Sequence, residues 1–185
     1  ANEVYTTDYD GTIVATKREY DNISGFLRFT KDIDHGETYI NLSVNERAPD
    51  TTELFHAKWN ASSAMMRHVG NPNLSSERHM TIEVGYEGML MGNHITGSVY
   101  YNDVDDYITT HRKDDSAMKA RLYKNVDAEL YGYEISVHRL FSGIDTTLNL
   151  NYTRGNDETQ NRPLPQIMPL AGDLTFEIKS ANTNY

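Results

Sequence analysis

The chain has 185 residues, room for one domain or at most two small ones, and 17 Lys and Arg against 27 Asp and Glu leave a formal charge of −10. That balance argues against nucleic acid as a partner, and the absence of cysteine excludes a disulfide scaffold, a zinc ribbon and a thiol nucleophile. No run approaches the roughly 18 apolar residues of a membrane-spanning helix, but a transmembrane strand shows lipid only every second residue, so a β-barrel stays open.

At the start, Ala1-Asn2-Glu3-Val4-Tyr5 has no basic region followed by an apolar run, so no signal peptide is read. The chain is then expected to be cytosolic, or a mature or partial piece of something exported. Thirteen tyrosines beside one tryptophan, with many Asn and Thr, favour pleated half-wet surfaces and turns, hence a predominantly β protein. Thr12, Val14 and Thr16 suggest a strand in 11–20. In 22–31, Ile23, Leu27 and Phe29 share one face, with Phe26 opposite.

From there the alternation is cleaner. Ile40, Leu42 and Val44 oppose Tyr39, Asn41, Ser43 and Asn45; Ile82, Val84 and Tyr86 oppose Thr81, Glu83 and Glu87. Ile95, Val99 and Tyr101 oppose Thr96, Ser98 and Tyr100; Tyr131, Tyr133, Ile135 and Val137 oppose Glu134, Ser136 and His138. Leu148, Leu150 and Tyr152 oppose Thr147, Asn149 and Asn151, and Leu174, Phe176 and Ile178 oppose Thr175, Glu177 and Lys179. A period of two marks half-buried strands.

The connections alternate between short (32–36, 88–93, 141–143) and long (46–78, 103–127, 154–171). A compact domain seldom tolerates three long irregular connections, whereas an outer-membrane barrel has short periplasmic turns, long outer loops and strands of roughly 9–11 residues. A β-sandwich with long binding loops is the alternative, but Glu83, Glu134 and Glu177 would then need buried partners. Seven clear strands and one more, with a loop as long as 46–78, read as a partial arc of a larger antiparallel transmembrane β-barrel.

The motifs agree in order with those boundaries. Tyr20-Asp21-Asn22-Ile23-Ser24-Gly25-Phe26, Arg47-Ala48-Pro49-Asp50 with Glu53-Leu54, and Gly70-Asn71-Pro72-Asn73-Leu74 with Glu77 come first. Tyr100 to Ile108, Asn125-Val126-Asp127-Ala128 with Gly132-Tyr133-Glu134, and Pro163-Leu164-Pro165-Gln166 through Leu170 follow. Together they resemble the barrel of TonB-dependent outer-membrane receptors, most like the copper receptors of that family, although Thr51-Thr52 stand where that branch usually carries aromatic residues. The resemblance implies residues 1–185 as part of a barrel of about 22 strands, with the plug domain and remaining strands absent. It implies active transport of a metal or metal chelate across the bacterial outer membrane, with copper favoured and iron-siderophore next. Its implied partners are outer-membrane lipid and lipopolysaccharide, TonB through the plug, and the transported metal; no resident cofactor is implied.

Met65, Met66 and His68, with His56 upstream and His79-Met80 downstream, put thioether and imidazole donors in the longest connection, a donor set suited to copper. The competing reading is that they pack against neighbouring loops. Met89 and Met91 lie by a short turn and read as lipid- or interface-packing residues. Asp103, Asp105 and Asp106 lack the Gly and distal Glu of a calcium loop and read as a solvated strand end. Tyr100, Tyr101, Tyr107, Tyr131 and Tyr133 read as an aromatic girdle. No G-x-S-x-G, H-E-x-x-H or phosphate-cradling loop occurs, so no enzyme is expected.

Overall fold

The computed structural model describes residues 4–7, 13–56, 67–115, 118–168 and 170–178. Its elements are β1 (Val4–Thr7), β2 (Ile13–Thr16), β3 (Ser24–Ile33), β4 (Gly36–Arg47), α1 (Thr51–Phe55), β5 (Arg67–Val69) and β6 (Glu77–Leu90). They continue with β7 (Asn93–Asp115), β8 (Met118–Phe141), β9 (Ile144–Asp157), β10 (Arg162–Pro163) and β11 (Ala171–Ile178). Strands β3, β4, β6, β7, β8, β9 and β11 form an antiparallel meander in which every neighbour in sequence is a neighbour in space. The outermost members, β3 and β11, do not pair with each other, so the sheet is an open arc.

Register shows that the alternating segments share two faces. Phe29, Ile40, Val84, Val99, Tyr133 and Tyr152 occupy one row across six strands. The adjacent row is Arg28, Asn41, Glu83, Tyr100, Gly132 and Thr153, on the other face. Every apolar set read from the sequence falls on the first face, because directly paired residues point the same way. That face is bare: Ile82 is 46% exposed, Val99 58% and Leu174 55%. A sandwich would cover it with a second sheet; among the described residues none does. One apolar and one polar face, in a single layer, is the wall of a transmembrane barrel.

At one end, two-residue turns close β6–β7 at Met91-Gly92 (φ 52° and 77°) and β8–β9 at Ser142-Gly143 (φ 53° and 82°). Two positive φ values in succession are the type I′ geometry that matches strand twist. The β3–β4 turn, Asp34-His35, is equally short.

Three expectations change. The strand in 11–20 exists as β2, but it pairs with β1 in a separate two-stranded sheet and adds nothing to the arc. The connection at 103–127 is no irregular loop: β7 and β8 run 23 and 24 residues as a β-ribbon, about 75 Å if straight at 3.3 Å per residue. β-Branched and aromatic residues such as Ile108, Thr109, Thr110 and Tyr123 sustain the pairing. Asp103, Asp105 and Asp106 therefore lie mid-strand, where a bulge between Val104 and Tyr107 shifts the register and Asp106 takes φ 58°.

The aromatic girdle is also smaller than expected. Tyr101, Tyr131 and Tyr133 share the apolar face, with Tyr133 stacked on Tyr152 at 5.6 Å. Tyr100 points to the polar face, its hydroxyl 2.6 Å from that of Thr153. Tyr107 packs beside Val104, Ala128 and Leu164.

Candidate functional site at the outer strand ends

Long connections gather at the end opposite the short turns, and there the sheet gains a core. Leu54 of α1, Leu74 and Ile108 cluster with Tyr20, Phe55 and Tyr123. Val104, Ala128 and Leu164 form a second cluster with Tyr107, Leu130 and Ile167. The β4–β6 connection thus packs on one side of the ribbon root, and the β9–β11 connection adds Leu164 on the other.

A buried carboxylate joins the strands to the first connection. Glu77 is 3% exposed. It accepts Arg47 Nε at 2.8 Å, the Ile108 N–H at 2.7 Å and His79 Nε2 at 3.1 Å. Burial by itself would raise its pKa, but the hydrogen bonds from His79, Arg47 and Ile108 outweigh that and lower it to about 2. The remaining Arg47 nitrogens grip Glu53 in a fork, both at 3.0 Å. Glu53 also completes the capping box of α1: its carboxylate accepts the Asp50 N–H and its own N–H donates to Asp50, both at 2.8 Å.

The later motifs serve the same end. At Gly70 a Cβ would lie 2.6 Å from the Leu54 and His56 backbone, so only glycine fits. The Gly70 N–H donates to His56 O at 2.7 Å and the Asn71 N–H to Glu53 O at 2.8 Å. Asn71 Nδ2 reaches Tyr123 O, and Asn125 binds both Ser75 and the Asp106 carbonyl at the bulge. Burial, with the charges of Asp127 and Asp105, raises the Asp106 pKa.

Of the residues picked out from sequence, Met65 and Met66 lie outside the described residues. His68 is in β5, which runs parallel to β8 with His68 opposite Arg121. The Gly70 N–H to His56 O bond and the β5–β8 pairing fix residues 56 and 67–70 beside the ribbon. His79 is occupied otherwise: the carboxylate of Glu77 makes its Nε2 the donor, and its Nδ1 accepts Asn102 Nδ2 at 3.0 Å. Among the described residues, no three His, Asp or Glu side chains converge as a metal cage. Below the clamp the inner face stays polar: Glu83 accepts Tyr39 Oη and Asn41 Nδ2, and Arg28 stacks 3.8 Å from the Tyr39 ring centroid. Sequence reading located these motifs without their roles, since an Arg, a Glu and an N–H distant in sequence meet only once the register is set.

Residues 2–185 match the family described as TonB dependent receptor-like, beta-barrel. The chain belongs to that family. Among solved structures, this TonB-dependent receptor chain is similar to a copper transporter, OprC, at 23% identity and TM-score 0.75, covering 97% of this chain and 28% of that one. It is also similar to the siderophore receptor PirA from Acinetobacter baumannii, at 18% identity and TM-score 0.62, over 86% of this chain and 27% of that one. The FrpB iron transporter from Neisseria meningitidis matches at 11% identity and TM-score 0.56, over 95% and 26% of the two chains. The chain thus spans about a quarter of the length of the structures it matches. No curated protein matches it in sequence.

Proposed function

We propose that this chain is an arc of a bacterial outer-membrane receptor that takes up a metal or metal chelate, with copper the favoured cargo and an iron-siderophore next. The observation that carries the reading is the division of one sheet into an exposed apolar face and a hydrogen-bonded polar face, in a TonB-dependent receptor fold. The apolar face meets outer-membrane lipid and lipopolysaccharide, and the polar face lines the lumen. A plug elsewhere in the receptor is rearranged by TonB to release the cargo. Copper is favoured by the Met65-Met66-His68 donor set and supported by the likeness to a copper transporter at TM-score 0.75, against 0.62 and 0.56 for the siderophore receptor and the iron transporter. The outer clamp of Arg47, Glu53 and Glu77 ties α1 and the start of β6 to the ribbon at Ile108.

The test is uptake of radioactive copper by cells with and without the complete receptor, and with and without TonB. Copper accumulation that needs both, and that falls when Met65, Met66 and His68 are replaced by alanine, is the expected result. Receptor-dependent uptake of a ferric siderophore instead of copper overturns the choice of cargo. Uptake of neither overturns the reading.

A further inference from the structure

We propose that Met89, His94 and His138 form a soft-metal site on the inner face at the short-turn rim, opposite in height to the outer loops. The inference rests on the reading of the receptor as a metal carrier for its role, though not for its geometry.

Met89 of β6 lies directly opposite His94 of β7, and His94 directly opposite His138 of β8. Three adjacent strands therefore present a thioether and two imidazoles in one row, with side-chain origins about 5 Å apart. Alternation puts the row on the polar face: it follows Glu83 and Gly85 along β6 and Glu134 and Ser136 along β8. Of the two readings of Met89, as a lipid- or an interface-packing residue, the first is corrected. Its side is the one turned away from the apolar face, and it is 52% exposed there. The row continues into Thr147 and Thr175, small residues that leave space beside the imidazoles.

The imidazoles are arranged as metal ligands usually are. His138 Nε2 is hydrogen-bonded to Asp145 Oδ1, and His94 Nε2 lies 3.4 Å from Glu87 Oε1. A carboxylate only accepts, so Nε2 is the donor in the His138–Asp145 bond, and the Glu87 contact turns the His94 ring the same way, leaving each Nδ1 turned from its carboxylate. Neither Nδ1 has a described partner. A carboxylate on one ring nitrogen and an open lone pair on the other is the outer-shell pattern that orients a ligating histidine. Thioether and imidazole together favour Cu(I) and its analogue Ag(I) over hard cations. Three ligands on an exposed wall suit a site that accepts an ion from the lumen and releases it at the periplasmic mouth.

The experiment measures Cu(I) retained by the complete detergent-purified receptor against a chromophoric Cu(I) chelator, without oxygen. The wild type is expected to hold one more equivalent than His94→Ala/His138→Ala, and Met91→Leu, in the adjacent turn, to match the wild type. Glu87→Gln weakens that equivalent about tenfold, as loss of an orienting partner does. Should the double variant fail to assemble, Met89→Leu, which removes an exposed thioether, serves in its place and must weaken the same equivalent. Equal stoichiometry and affinity in wild type and assembled variant overturn the site. Retention of the ion by this row in a receptor that takes up no copper would leave the site standing and defeat the proposed cargo instead.

Discussion

Glu77→Gln tests the outer clamp. In the native chain one buried carboxylate collects an arginine, a histidine and the Ile108 N–H, and its pKa falls from 4.5 to about 2. That depression corresponds to about 3 kcal/mol of local stability. Gln can still accept the Ile108 N–H but loses the charge that Arg47 and His79 address. Hydrogen exchange at Ile108 and across 50–56 should accelerate by about 100-fold at neutral pH, the factor matching that energy. Because the folded pKa is the depressed one, the stabilisation is complete above about pH 4.5 and lost as the pH falls through about 2. Pepsin cleavage of the 48–76 connection should accordingly rise in the wild type as the pH drops through that window. It should be high and nearly flat in Glu77→Gln. Unchanged exchange at Ile108 in the variant would refute the role given to this carboxylate.

Leu150→Arg places a charge on the apolar face beside Ile135 and Gly172 and should cost about 2–4 kcal/mol near the bilayer midplane. Asn149→Arg, on the polar face, should assemble normally; heat-modifiable gel mobility distinguishes the two. Gly132→Val should impair assembly more than Gly97→Ala, since a side chain at 132 collides with the Tyr152 carbonyl whereas one at 97 meets nothing closer than 3.6 Å. His68→Ala should lower copper uptake with outer-loop exchange unchanged, whereas Arg47→Ala should raise that exchange; equal effects on both readouts would merge the two roles.

The strands were legible because a wall between lipid and water imposes the simplest pattern a chain can carry. Ile40, Leu42, Ile82, Val84, Leu148 and Leu150 obey it, and their register follows. The ribbon beyond Asp103 was not legible. Outside the bilayer neither face is required to be apolar, so Asp-rich and basic stretches hid pairing that continues to Asp115. The clamp was half legible: Arg47, Glu53 and Glu77 were visible as motif residues, but the meeting of both carboxylates on one guanidinium depends on β4 pairing with β6. The Met89-His94-His138 row was invisible, since it joins three strands whose alignment only the turns define.

The account depends most on which face meets lipid, and with no cysteine among these 185 residues each thiol introduced here is the only one in the arc. Single cysteines at each position from 147 to 153 in the complete receptor, held in native outer membrane, can be challenged with a water-soluble maleimide. The account predicts reaction at 147, 149, 151 and 153 and protection at 148, 150 and 152, a strict alternation. Uniform reactivity, or the opposite phase, would contradict it.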